Sequence, residues 1–360
     1  MLLAACGGTT AGGSSTAPVT PGSAAPPATS AAAKPSTTLA ASASAAASIP
    51  AQPSGSLSGS GDAVALNLAY SATSAAQSPT WVAEQEGLYA RYGLKASVKL
   101  INSSPVSTAA LLAGEIDALV AGADGVVAAR SQGAPLSEIA AFSNYLSGRI
   151  AARPGIDRLD QVKKMAVTRL GGNTDFEARQ ALKRAGIDPS TVNFIQAGSG
   201  LVAALVSGQV DAASMGPLEA IDAVHQGNHL LVDDATLKLP FASTILITTQ
   251  ATLQGKPDAI RRLLQALGAA MHVYFTNPAA AQKAIAQYAK LDNAEVVRDS
   301  YESALPVMER ELTARPEAVA GLLEAIAQNQ PDVKNLRPDQ LIDDRLLKGL
   351  VDSGFFKSLQ

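Results

Sequence analysis

Cysteine is almost absent from this 360-residue chain, and Cys6 stands alone. A single cysteine excludes an internal disulfide and every metal or cluster motif built on paired cysteines. Histidine is scarce as well: His225, His229 and His272. The first two share an i, i+4 spacing, but Gly227 lies between them and no glutamate is placed as in a zinc-protease helix. They read as surface histidines, so neither a metal nor a cofactor is expected. No Gly-x-Ser-x-Gly elbow occurs, and Gly171-Gly172-Asn173 lacks the lysine of a phosphate loop. Catalysis is left without a motif, and the chain reads as a non-enzyme. A net charge of −3 with no basic stripe argues against a nucleic-acid partner. No run is long and apolar enough to span a bilayer.

Charge and aromatic residues are also missing locally. Between Gly7 and Gly61 the only charged residue is Lys34, and no aromatic occurs. Such a stretch has nothing large to bury and cannot offset the entropy of ordering itself. Residues 7–62 therefore read as a flexible tether with a reach of roughly 40 Å. The remaining 300 or so residues suffice for two lobes.

A repeat is present. Ala110-Leu111-Leu112-Ala113-Gly114-Glu115-Ile116-Asp117-Ala118 recurs 94 residues later as Ala204-Leu205-Val206-Ser207-Gly208-Gln209-Val210-Asp211-Ala212. Gly122 and Gly133 have counterparts in Gly216 and Gly227. Each copy reads as helix end, glycine turn, short apolar strand, glycine loop and a second helix, at a spacing too long for a solenoid. Two similar α/β lobes with a cleft between them follow, and a cleft is the default binding site. Asp117 and Asp211 sit in turn-to-strand segments, where Asp commonly bonds nearby backbone, and read as framework.

The periodicity predicts strands at 64–70, 93–100, 115–120, 137–142, 149–152, 165–168, 192–196, 210–214 and 241–248. Helices fall between them, the first running from Ser78-Pro79 to about Tyr89 and carrying Trp81, which reads as core rather than cleft lining. Strand–helix alternation with short loops implies largely parallel, helix-flanked sheets with ligands beyond the strands' carboxyl ends. Small polar junctions open several of these helices, where unpaired N–H groups suit an anion or a polar oxygen. The candidate ligand residues are Ser74, Gln77, Ser78, Ser103, Ser104, Asp124, Gly172, Asn173, Thr174, Ser199 and Gly216.

Met1-Leu2-Leu3-Ala4-Ala5-Cys6-Gly7 resembles the end of a bacterial lipoprotein signal, without the basic n-region and full apolar run of a complete one. The resemblance implies a diacylglyceryl group on Cys6, with residues 1–6 a truncated signal and the tether a spacer. From Val64 to Gln360 the chain resembles solute-binding proteins of ABC importers in the nitrate/sulfonate/taurine group, which includes binders of thiamine-precursor pyrimidines. The carriers are Trp81-Val82-Ala83-Glu84-Gln85-Glu86-Gly87-Leu88-Tyr89, Leu112-Ala113-Gly114-Glu115-Ile116-Asp117-Ala118, Leu159-Asp160-Gln161-Val162, Ser207-Gly208-Gln209-Val210-Asp211-Ala212 and Asn277-Pro278-Ala279-Ala280-Ala281.

That resemblance implies a type II periplasmic-binding fold. One lobe would hold 63–150 and 242–360 and the other 151–241, joined by a two-strand hinge and closing on ligand. It also implies a monomer outside the cytoplasm, anchored to a membrane, that passes a small anionic or heteroaromatic solute to a permease with an ATPase subunit. Arg169 is the candidate cation for an anionic solute. Two alternatives are a ligand-sensing domain for a membrane signalling partner and a pyrimidine-synthase-like enzyme. The related enzymes depend on a cysteine-rich motif that this chain lacks.

Overall fold

The computed structural model describes residues 63–327 and 330–360, and for residues 104 and 105 the backbone alone. Cys6, the signal-like segment and the tether at 7–62 lie outside the described residues.

Among the described residues, ten strands form two five-stranded sheets. The first has the order β2 (Leu94–Leu100), β1 (Val64–Tyr70), β3 (Ala118–Ala121), β10 (Pro240–Thr249), β4 (Leu136–Tyr145). The second has the order β7 (Asn193–Gln196), β6 (Lys164–Val167), β8 (Ala212–Met215), β5 (Arg149–Ala152), β9 (His229–Asp233). The sheets share one plan. β1 runs parallel to β2 and β3, as β6 does to β7 and β8. The fourth strand, β10 or β5, lies antiparallel to both its neighbours because it enters from the other lobe. The sheets are thus mixed: parallel where a helix returns the chain, antiparallel at the crossing. The chain changes sheets between Tyr145 and Arg149 and again between Asp233 and Pro240.

Fifteen α-helices are described. α1 (Pro79–Gln85), α2 (Leu88–Arg91), α3 (Ser104–Leu112) and α4 (Asp124–Ser131) belong with the first sheet. α5 (Asn173–Arg184), α6 (Leu201–Val206) and α7 (Pro217–His225) belong with the second. After β10 come α8 (Gln250–Gly255), α9 (Pro257–Thr276), α10 (Pro278–Ala289), α11 (Ala294–Ala304), α12 (Pro316–Ala327), α13 (Pro338–Leu341), α14 (Arg345–Asp352) and α15 (Phe355–Ser358). The single helix expected over 78–89 is two, because Gly87 takes a left-handed φ of +63°. β9 has no counterpart among the expected strands, and β3 starts at Ala118 rather than Glu115.

The repeat lands on equivalent places. β3 and β8 are the third strands of their sheets. Gly114 and Gly208 take φ of +75° and +73° after α3 and α6, where a side chain would be strained. Both aspartates clamp the neighbouring parallel strand. Asp117 Oδ2 accepts from the Asn67 N–H at 2.8 Å and Oδ1 from Lys256 Nζ at 2.6 Å. Asp211 Oδ2 accepts from the Lys163 and Lys164 N–H groups at 2.9 and 3.0 Å, and Oδ1 from Arg153 at 2.8 Å. Burial works to raise the Asp211 pKa, but these hydrogen bonds outweigh it and hold the carboxyl below its ordinary value.

Apolar clusters cover both faces of each sheet. Trp81 is completely buried, stacked on Tyr288 at 5.4 Å and edge-on to Tyr70 at 5.6 Å. It is a core anchor.

Candidate interlobe site

The loop after β3 meets the loop after β6 beyond the carboxyl ends of the parallel strands. α4 and α5 point their N-termini at this contact. Arg169, on the loop before α5, donates from Nη2 to Asp124 Oδ2, in the first turn of α4, at 2.7 Å. Phe176 of α5 stacks on Phe241 of β10 with centroids 5.4 Å apart and planes at 23°. A Cβ on Gly122 would lie 3.2 Å from Asp124 Oδ1 and 3.7 Å from Asn173 Nδ2, so glycine permits this approach. The cavity left between Asp124, Gly172, Asn173 and Phe241 is about 10 Å³, the room one water needs. On this flank the lobes touch.

The lobes also meet where α7 packs against α11. A cavity of about 320 Å³ is lined by Arg149 of β5, by Ile221, Val224 and His225 of α7, and by Asp299 and Glu302 of α11. Arg149 Nη2 lies 3.1 Å from Asp233 Oδ2, while its Nε is buried and has no hydrogen-bond partner. A buried donor left unpaired costs stability.

The sequence-predicted residues divide by what already holds them. Asp124, Gly172 and Asn173 meet at the closed flank. Gln77 is turned into its own loop: Oε1 accepts from the Ser71 and Ala72 N–H groups at 3.0 and 3.2 Å, and Nε2 donates to Ser71 Oγ. Ser78 Oγ donates to the Ala75 carbonyl at 2.7 Å. Thr174 Oγ1 accepts from the Thr168 N–H at 2.9 Å. These three shape the loops from within. Ser74 and Ser103 precede the helix at Ala75–Gln77 and α3, half-buried, with no side-chain capping bond. Ser104 begins α3, and its side chain lies outside the described residues. Ser199 is exposed on the turn Gly198–Gly200, away from both cavities. Gly216 caps α7, where a Cβ would fall 2.7 Å from Glu219 Oε2.

α4, α5 and α7 also carry their own carboxylates, Asp124, Asp175 and Glu219, in their first turns. An anion at any of these N-termini meets a resident negative charge that already balances the helix dipole. Arg169 is likewise engaged, by Asp124.

Glu177 of α5 is a further buried group, and no sequence motif singles it out. It is fully enclosed, and its Oε1 accepts from the Gly148 N–H at 3.2 Å, on the first crossing segment. Asp234, on the second, donates its N–H to the Gly148 carbonyl at 3.0 Å. Burial and then the nearby Asp234 push the Glu177 carboxyl up to about 8. Burial pushes Asp234 up to about 6, against the pull of Arg184. The spacing Thr174, Glu177, Ala178, Ala181, Leu182 is the signal that could have revealed Glu177, since it puts this residue on the inward face of α5.

A family model described as NMT1/THI5 like matches residues 75–281. A Brucella abortus (strain 2308) protein with a provisional designation as a binding protein is 26% identical over 246 residues, 65% of this chain and 75% of its own. The periplasmic aliphatic sulphonate binding protein SsuA of Escherichia coli superposes with a TM-score of 0.67 at 19% identity, over 79% of this chain and 99% of that one. The ligand-binding component of an ABC-type import system from Staphylococcus aureus, solved with zinc, gives 0.67 at 13% over 79% and 98%. The periplasmic nitrate-binding protein NrtA of Synechocystis PCC 6803 gives 0.61 at 16% over 81% and 89%. The fold is that of these binding proteins.

Proposed function

Since the chain belongs to the NMT1/THI5-like family, we propose that it is the extracytoplasmic solute-binding component of an ABC importer, without catalytic activity of its own. One observation carries this reading: two lobes joined by two crossing segments meet through Arg169–Asp124 and Phe176–Phe241 and again through α7 against α11, with a 320 Å³ cavity beside that second contact. That arrangement suits a hinged trap, in which a solute touching both lobes favours the closed state. The volume lies at the small end of ligand pockets.

The proposed solute is small and anionic or heteroaromatic. The cationic side chain lining the 320 Å³ cavity is Arg149, paired with Asp233 at 3.1 Å and sharing the lining with Asp299 and Glu302. The proposed partner is a membrane permease with an ATPase subunit, served by a monomer held to the membrane through Cys6. Native mass spectrometry of the purified protein, with a thermal-shift screen over nitrate, sulfonates and pyrimidines, tests the receptor reading. A true solute at a hundred times its Kd adds about 2.7 kcal/mol of stability. A screen in which nothing co-purifies and nothing raises the melting temperature overturns it. Palmitate labelling that persists in Cys6→Ala overturns the anchor.

A further inference from the structure

We propose that the hinge holds one proton, on Glu177, and that losing it loosens both crossing segments. Three carboxyls and two guanidinium groups gather where the chain passes between the sheets. Arg149 Nη2 lies 3.1 Å from Asp233 Oδ2, and Arg184 Nη1 lies 3.9 Å from Asp234 Oδ1. Glu177 makes no ion pair among the described residues, and its partner is the Gly148 N–H. One carboxyl is therefore left without a cation, and it is only 6% exposed. An enclosed carboxylate with no counter-charge is unfavourable, and a proton removes the charge.

No neighbouring element supplies the missing cation. α5 packs on β6, β8 and the turn Pro189–Thr191, whose one charged residue is Lys164, exposed at the start of β6. On α5 itself, Arg179 is bound to Asp175 at 2.9 Å and Lys183 is exposed. The remaining titratable side chains of the crossing segments are Tyr145, half-buried, and Lys238, exposed. Asp234 Oδ2 is buried without a hydrogen-bond partner, so the enclosure has no spare donor either.

Backbone contacts tie this carboxyl to the hinge. Glu177 Oε1 accepts the Gly148 N–H, and the Gly148 carbonyl accepts the Asp234 N–H at 3.0 Å. A Cβ on Gly148 would stand 1.9 Å from Glu177 Oε2, so the carboxyl lies directly against the first crossing segment, which in turn holds the second. Ionised, Glu177 would be repelled by Asp234 and kept from water, and parting the segments relieves both. Burial and Asp234 hold its carboxyl at about 8 against an ordinary 4.5. An opening that restores ordinary ionisation therefore grows about tenfold per pH unit between those values and levels off above 8. Under the importer reading, a solute that favours the enclosed arrangement also favours the proton, and the proton favours the solute.

Hydrogen-exchange mass spectrometry of the full chain at pH 6, 7, 8 and 9, with labelling times scaled for intrinsic exchange, reads the crossing segments without any solute. Peptides covering 144–150 and 232–240 are expected to lose at least tenfold in protection between pH 6 and 8, and little more by pH 9. They are expected to exchange at least tenfold faster than 64–70 throughout, which marks the opening as local. Glu177→Gln is expected to flatten the hinge profile, and Glu138→Gln to leave it in place. Carbon-13 NMR of carboxyl-labelled glutamate in Glu138→Gln is expected to show one glutamate titrating near pH 8. A flat wild-type profile, an unchanged profile in Glu177→Gln, hinge exchange no faster than 64–70, or no glutamate titrating above pH 7 each overturns the proposal, and the importer reading would stand.

Discussion

Replacing Glu177 with glutamine tests the hinge chemistry directly. A carboxyl with an ordinary pKa of 4.5 that sits at about 8 in the folded protein holds its proton more tightly folded than unfolded. Its contribution to stability is complete below pH 4.5 and is lost progressively as pH rises towards 8. Each pH unit in that window removes about 1.4 kcal/mol, so by pH 7 the loss is about 3 kcal/mol. Glutamine keeps an oxygen for the Gly148 N–H and cannot ionise. The variant should match the wild type near pH 4.5 and melt about 5–10 °C higher at pH 7, taking 2–4 °C per kcal/mol for a chain of this size. Differential scanning fluorimetry from pH 4.5 to 8.5 reads this out. Parallel wild-type and variant curves would refute it, because they would mean that Glu177 is already ionised in the folded state. Glu138, buried in β4 and likewise pushed up to about 8, should add its own slope and should respond separately to Glu138→Gln.

Three other outcomes follow from the packing. A Cβ at position 148 would stand 1.9 Å from Glu177 Oε2, so Gly148→Ala should cost about 1–3 kcal/mol and be partly rescued by Glu177→Ala, as read in urea unfolding. Asp211→Ala strands the Lys163 and Lys164 N–H groups and Arg153, and should cost about 2 kcal/mol in the same assay. Arg169→Ala removes an ion pair whose arginine side chain is 54% exposed, worth about 0.2–1 kcal/mol, and should shift the ligand-free lobes towards opening by no more than about fivefold in small-angle scattering.

The framework is legible in the sequence because it is local or repeated. β1 falls at 64–70 as its alternation predicts, and the copies around Asp117 and Asp211 mark equivalent strands by their pattern alone. The helix starts at Pro79, Pro217 and Pro278 are equally plain from the residues that precede them. What escapes is what the tertiary fold alone brings together. Arg169 meets Asp124, and Phe176 meets Phe241, between segments that share no local pattern. Gln77, Ser78 and Thr174 look available in sequence, but their polar atoms close on backbone and side chains a few residues away. Arg149 reads in sequence as a strand residue leading out of the first lobe, yet it pairs with Met215 and Asp233 in the second sheet. Periodicity names faces, and which faces oppose one another depends on the crossing strands.

The placement of β10 bears on the order in which the chain can fold as it is made. All five strands of the second sheet lie between Arg149 and Asp233, so that sheet can be completed from one continuous stretch. The first sheet cannot. β10 sits between β3 and β4, and it is synthesised only after the whole second lobe. Until it arrives, β3 and β4 lack their shared neighbour and present open edges of the kind that recruit other strands. The nascent chain therefore passes through a stage with one finished lobe and one split lobe, a natural point for a holding factor to act.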